Sequence, residues 1–265
     1  MKIKYSRLES AGNNFILLDY LDNSLPEFNK ISKLIFDSRE LSNSDGLLII
    51  TKSRNKDFEL DFYNPDSSPS FCGNGSICAV KYYSKFYLNK NYEFYSNGVG
   101  YGADIKNNQI SLVMNEINFF KEYEEGFLIN SGTLHYVEFS DDLGDRFFNE
   151  RVKKIRFKKK SETNPFNINL VMIKNDHIQI RTFEKGVNRE TLSCGSGSIA
   201  SILAVFLAFK KKYSLVKARG GNLNVDFNFN NKFFEKIRLI SKPTIINSGY
   251  LLSLIHIWRC RRLRT

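Results

Sequence analysis

Apolar and polar positions in the first half of the chain fall into short stretches with the periods of strands and helices. Lys2–Arg7 alternates, Asn14–Asp19 is mostly apolar, and Gly46–Thr51 and Phe58–Tyr63 are apolar-rich and bounded by Asn, Asp, Ser and Pro. Each predicts a strand. Pro26–Asp37 has helical spacing through Phe28, Ile31, Leu34 and Ile35. After Asn64-Pro-Asp-Ser-Ser-Pro comes Cys72-Gly-Asn-Gly, and apolar or aromatic residues then recur at helical intervals through Ile77, Val80, Tyr83, Phe86 and Tyr87. Glu93–Tyr95 and Ile110–Met114 predict further strands.

The second half follows the same plan. Asn130-Ser-Gly-Thr-Leu-His-Tyr-Val-Glu-Phe enters a strand, and Asn167–Ile173 and Ile178–Phe183 are two more. A loop then leads to Cys194-Gly-Ser-Gly and an apolar helix running to about Phe209. The peptides CGNGSIC (72–78) and CGSGSIA (194–200) agree at five of seven positions. One Gly-rich peptide carries little weight, but the same peptide at the same place in two strand-then-helix halves argues for internal duplication. The expected architecture is α/β, with two related halves facing each other across a cleft. The first domain spans 1–117, the second 118–242, and a last strand at about 243–252 returns to the first.

Composition narrows the class. The 265 residues are 42% hydrophobic and 25% charged, which excludes a disordered or collagen-like chain. Only 4 cysteines are present, too few for a disulfide scaffold, so a special cysteine here is chemical rather than structural. The formal charge is +11, but four of the arginines sit in Ser253–Thr265, SLIHIWRCRRLRT, which also holds the single Trp. That segment reads as a non-native tail and is set aside, leaving +7. The basic run Arg151–Lys160 mixes basic and apolar residues without an aromatic stacking pattern, as a solvated strand or short helix does, so no nucleic-acid partner is expected. Met1-Lys-Ile-Lys-Tyr-Ser lacks an apolar signal core, and the apolar run Ile199–Phe209 falls short of the roughly 20 residues a bilayer needs. A soluble, cytoplasmic protein without membrane contact is expected.

Each repeat delivers a cysteine, then Gly-X-Gly, at a helix start. Such a start leaves backbone N–H groups unpaired and carries partial positive charge, which attracts anions and favours a thiolate. Glycines let a ligand approach the backbone. A substrate carboxylate held by the amides of Gly73, Asn74, Gly195 and Ser196 would put its α-carbon between Cys72 and Cys194. One sulfur could then take the α-proton and the other return a proton from the opposite face. Cys78 falls inside its helix and reads as core. Cys72 and Cys78 are too far apart for the usual short ligand pair, and His135 and His177 lack ligand spacing, so no metal is expected. Nucleotide-binding and Ser-His-Asp signatures are missing as well.

At these residues the chain resembles the diaminopimelate epimerases, from about residue 3 to 252. The CGNG and CGSG loops carry the likeness, supported by Glu184-Lys-Gly-Val and Glu190-Thr-Leu-Ser just before Cys194. The resemblance implies that each half wraps a sheet around a central helix. It also implies a cofactor-independent two-thiol conversion of LL-diaminopimelate to the meso form, within lysine and peptidoglycan synthesis, in a homodimer. In the LL-to-meso direction it makes Cys194 the proton acceptor and Cys72 the donor. It further places Asn13, Asn64 and Asn167 on the substrate, Glu184 and Lys185 on its distal amino and carboxylate groups, and His135 near the reaction centre.

Several positions depart from the family pattern. Lys185 stands where an arginine is usual, Thr133-Leu134-His135 where Asn-Pro-His is common, Ile77 where an arginine is common and Gly46 where some members have Gln. Lysine lacks the bidentate fork of arginine, so the departures bear on substrate recognition more than on reaction type. Two other readings stand beside the epimerase. One is a proline or hydroxyproline racemase-type relative, which has no need of Glu184 and Lys185; the other is a basic binding module without catalysis.

Overall fold

The computed structural model describes residues 2–22, 44–158 and 166–252. The helix expected over Pro26–Asp37 and the segment Ser253–Thr265 lie outside the described residues. The chain divides into two compact units, Met1–Ser10 with Asn14–Asp104 and Pro243–Thr265, and Ala11–Asn13 with Ile105–Lys242.

In the first unit, Thr244–Leu252 pairs antiparallel with Lys2–Ser10. Asn13–Tyr20 runs parallel to Gly46–Thr51, which is antiparallel to Phe58–Tyr63. Phe58–Tyr63 also pairs antiparallel with the short Pro69–Ser70 and parallel with Asn91–Ser96, which turns back into Val99–Lys106. Helix α1 (Gly73–Tyr83) follows the short strand and is buried at every residue but Lys81. A helix apolar or small on all sides belongs inside a core, and α1 packs on Lys2–Ser10, Gly46–Thr51, Phe58–Tyr63 and Thr244–Leu252. The sheet therefore curves around it.

The aromatic rhythm beyond Tyr83 does not extend this helix. Ser84 caps it, its hydroxyl donating to the Lys81 carbonyl at 2.9 Å, and Lys85 N–H and Phe86 N–H close three-residue turns onto Tyr82 and Tyr83. Phe86 and Tyr87 are left half exposed, with Tyr87 stacked on Tyr83 at 4.4 Å. Helical spacing here reflects stacked rings rather than a continuing helix.

The second unit repeats the pairings in order and sense. Leu134–Phe139 is parallel to Asn167–Ile173, which is antiparallel to Ile178–Glu184. Ile178–Glu184 pairs antiparallel with the short Arg189–Thr191 and parallel with Leu215–Ala218, which turns back into Gly221–Phe229. Phe234–Ser241 and Gln109–Val113 continue the sheet. Gly221–Phe229 and Phe234–Ser241 are strands that the sequence reading did not name, although Leu223, Val225 and Phe227 alternate inward. Registers agree as well: Phe15 pairs with Gly46 as His135 pairs with Asn167, and Leu48 with Phe62 as Asn169 with Thr182.

A parallel pair needs a crossover, and helix α2 (Asp145–Lys158) lies in the one joining Leu134–Phe139 to Asn167–Ile173. Its Phe148, Val152 and Ile155 share one face and pack on Leu128, Tyr136 and Ile168. The described part of the basic run, Arg151–Lys158, is the second half of this helix, with Lys153 and Lys154 exposed. Helix α3 (Gly195–Phe209) packs on Gly126–Asn130, Leu134–Phe139, Asn167–Ile173, Ile178–Glu184 and Gly221–Phe229. It ends at Lys210, whose backbone is left-handed and whose N–H returns to the Phe206 carbonyl at 2.9 Å. Among the described residues no helix is long and apolar enough to cross a membrane.

Two aromatic residues of α2 make the packing testable. Phe148 is fully buried and Phe157 is 82% exposed. Phe148→Ala is expected to cost about 3–5 kcal/mol and Phe157→Ala less than about 0.5 kcal/mol, read from urea-unfolding midpoints.

Candidate active site

Both helix starts are built the same way. Cys72 caps α1 with extended backbone, φ −134° and ψ 112°, and its Sγ accepts from Gly75 N–H at 3.4 Å. Cys194 caps α3 with φ −138° and ψ 114°, and its Sγ accepts from Gly197 N–H at 3.4 Å. The helical ladders begin with Ser76 N–H and Ser198 N–H on the two cysteine carbonyls, both at 2.8 Å. Each sulfur thus serves as the N-cap acceptor that a Ser or Asp oxygen provides elsewhere. The second glycine of each loop is needed for room. A Cβ at Gly75 would lie 2.9 Å from the Leu48 side chain, and one at Gly197 would lie 2.6 Å from Asn169 Oδ1.

The two caps differ in what surrounds them. Cys194 Sγ lies 3.4 Å from Ser196 Oγ, which is 3.0 Å from His135 Nε2. His135 Nδ1 accepts from Asn169 Nδ2 at 2.8 Å, and Asn169 Oδ1 accepts from the Thr182 hydroxyl at 2.8 Å. Thr133 Oγ1 lies 3.0 Å from His135 Nε2 and accepts from Asn167 Nδ2 at 3.2 Å, while Asn167 Oδ1 accepts from Lys185 N–H at 3.0 Å. Ser131 donates its hydroxyl to the Ser196 carbonyl at 2.8 Å. His135 is fully buried, and loss of hydration, aided by the Lys185 charge, pushes its pKa from 6.5 down to about 3 despite the Asn169 hydrogen bond. The ring is neutral at physiological pH.

Of the residues singled out in the sequence, the second unit brings His135, Asn167, Cys194, Ser196 and the Lys185 backbone into this network. Gly195 is the first residue of α3 and is buried. Glu184, at the end of its strand, accepts from the Thr191 hydroxyl at 2.6 Å. Asn13 is buried beside Gly12, whose left-handed backbone packs against Gly220 so closely that a Cβ would lie 2.4 Å from its Cα. In the first unit Cys72, Gly73 and Asn74 form the start of α1, with Asn74 buried. Asn64 sits at the turn after Phe58–Tyr63, where its Nδ2 donates to Ser68 Oγ at 3.0 Å. Cys78 lies in the core, and burial raises its thiol pKa well above the ordinary value. Thr182 and Ser131 escaped the sequence reading, and Asn169 was passed over beside Asn167. Their signal, two asparagines two apart on one strand face, also fits an ordinary strand. Among the described residues no group of three or more His, Cys, Asp or Glu side chains could hold a metal ion.

Comparison with known proteins bears on this site. No protein-family model matches the chain. It is 31% identical over 245 residues to the diaminopimelate epimerase of Flavobacterium psychrophilum, covering 89% of this chain and 95% of that protein. Among solved structures it is similar to a phenazine biosynthesis PhzF-family protein of Enterococcus faecalis, with TM-score 0.67 and 16% identity over 96% of this chain and 100% of that one. It is also similar to a probable proline racemase of Agrobacterium radiobacter, with TM-score 0.67 and 12% identity over 95% and 93% of the two chains. At these identities the solved structures speak to the fold alone, and they share the mixed α/β architecture described above.

The buried imidazole predicts a pH dependence. Between pH 6.5 and about 3 the unfolded chain binds a proton on His135 that the folded chain refuses. Its contribution to stability is therefore complete above 6.5 and lost as pH falls, by up to about 1.4 kcal/mol per pH unit. Urea midpoints followed from pH 7 to 4.5 are expected to fall more steeply in the wild type than in His135→Gln.

Proposed function

The chain belongs to the diaminopimelate epimerase family, and on that premise we propose that it converts LL-2,6-diaminopimelate to the meso form by two-sulfur proton transfer at one α-carbon. The observation that carries this reading is the repeated cap: each unit presents a cysteine sulfur at the amide-rich start of a helix, 3.4 Å from a backbone N–H. A helix start favours the thiolate and also an anionic substrate group.

In the LL-to-meso direction the Cys194 thiolate takes the α-proton. The Cα–H bond breaks, an S–H bond forms, and the electron pair passes into the substrate carboxylate. The amides of Gly73, Asn74, Gly195 and Ser196 meet the charge that grows there. The Cys72 thiol then delivers its proton to the opposite face of the carbon, leaving Cys72 as thiolate and Cys194 as thiol. The reverse direction exchanges the roles, and the protein's own groups suffice for the step. The neutral His135 neither takes nor gives a proton in it.

Glu184 and Lys185 grip the distal amino and carboxylate groups, with Asn13, Asn64 and Asn167 as further contacts. The bond from Lys185 N–H to Asn167 Oδ1, 3.0 Å, ties two of these residues together close to His135. A substrate without a distal amino-acid head, such as proline, would leave Glu184 and Lys185 unused.

Two measurements test this. Incubated in deuterated water, the protein is expected to exchange the α-hydrogen of LL-diaminopimelate, with Cys72→Ala and Cys194→Ala each slower by about 10²–10⁴-fold. Turnover of proline with no exchange on diaminopimelate would overturn the substrate assignment. Lys185→Ala is expected to raise KM about tenfold with a smaller change in kcat, and Lys185→Arg to lower KM by supplying the bidentate fork.

A further inference from the structure

The second unit holds a chain of buried polar groups beneath its cysteine, on strand positions that carry apolar side chains in the first. The strand registers make His135, Asn169 and Thr182 the counterparts of Phe15, Leu48 and Phe62. In the first unit these are apolar, with Phe15 and Phe62 packed edge to face at 6.1 Å. Ser196, two residues past Cys194, likewise corresponds to Asn74, two past Cys72. The same backbone thus seats one sulfur above an apolar wall and the other at the end of a hydrogen-bonded line.

The direction of that line follows from counting protons. Asn169 Oδ1 is occupied by the Thr182 hydroxyl at 2.8 Å, which turns the amide nitrogen toward His135 Nδ1 at 2.8 Å. An amide nitrogen only donates, so Nδ1 accepts, and the single proton of the neutral ring sits on Nε2. Asn167 Nδ2, 3.4 Å from Nε2, is likewise only a donor, so with the ring proton on Nε2 it donates to Thr133 Oγ1 at 3.2 Å and not to the ring. Nε2–H then has two hydroxyl acceptors at 3.0 Å, Thr133 Oγ1 and Ser196 Oγ; shared with Ser196, it leaves the Ser196 hydroxyl hydrogen to point at Cys194 Sγ, 3.4 Å away.

We propose that Thr182 and Asn169 are positioning residues: by holding the His135 proton on Nε2 they aim the Ser196 hydroxyl at the Cys194 sulfur and sustain its thiolate. The proposal deepens the epimerase reading and rests on it for its catalytic meaning. Without the Thr182 hydroxyl, Asn169 is free to turn its oxygen to Nδ1. The ring proton would then move to Nδ1, Nε2 would accept from Ser196, and the sulfur would lose that donor. Lys185, which follows the strand Ile178–Glu184, is the charged group that acts on the ring.

The test needs no substrate. Nitrogen NMR of ¹⁵N-histidine protein should show Nε2 protonated and Nδ1 bare in the wild type and in Thr182→Ser, with that pattern lost in Thr182→Val. The pH dependence of iodoacetamide alkylation, read at each cysteine by mass spectrometry, should move up by about one unit at Cys194 in Thr182→Val and Ser196→Ala, and stay fixed at Cys72. Ser196→Ala should keep the wild-type tautomer. A wild-type ring with its proton on Nδ1, an unmoved Cys194 profile in Ser196→Ala, or equal shifts at both cysteines would overturn the proposal. Absent isotope exchange on diaminopimelate with these profiles intact would overturn the epimerase reading and leave the relay standing.

Discussion

A helix that begins inside a folded core brings amide hydrogens that must find acceptors, and in each unit of this protein a cysteine sulfur is one of them. Leaving such a donor unmet costs about 1–3 kcal/mol, so the cap is part of what holds each helix in its sheet. It also dictates the glycines, because the chain must turn tightly beneath the sulfur with a neighbouring strand side chain under 3 Å from where a Cβ would stand. The group that completes the helix is thereby the one best placed for chemistry. Structure and reactivity make the same demand of the same atom.

Duplication explains why that arrangement occurs twice, and divergence explains why the copies are not equivalent. Matching pairings, matching registers and matching caps surround interiors of opposite character. An apolar wall of Phe15, Leu48 and Phe62 is simple to bury. The polar line of His135, Asn169 and Thr182 is tolerable only because each member has a partner, since a half-satisfied buried network is worse than none. The contrast puts a hydroxyl 3.4 Å from the second unit's sulfur at the end of a polar line, and apolar side chains at the matching strand positions of the first.

Much of this was visible in the chain itself. The strands at Gly46–Thr51, Phe58–Tyr63, Asn167–Ile173 and Ile178–Glu184 carry their own periodicity, and the two cysteine loops stand out because they repeat. What stayed hidden depends on which strand lies beside which. Asn169 and Thr182 become partners of His135 only once Asn167–Ile173 is flanked by Leu134–Phe139 on one side and Ile178–Glu184 on the other. No local pattern contains that register. The end of α1 is hidden for a different reason, since Tyr83, Phe86 and Tyr87 keep a helical interval through a turn in which Tyr87 stacks on Tyr83.

The pairing of Lys2–Ser10 with Thr244–Leu252 bears on how the molecule is made. Its first unit draws on segments separated by the whole of the second, so its sheet lacks an edge until residues 244–252 have left the ribosome. By then every residue of the second unit has already emerged. Synthesis from the N-terminus therefore delivers the parts of the second unit complete while the first still waits for its closing strand, and the earliest residues of the chain are among the last to be locked in place.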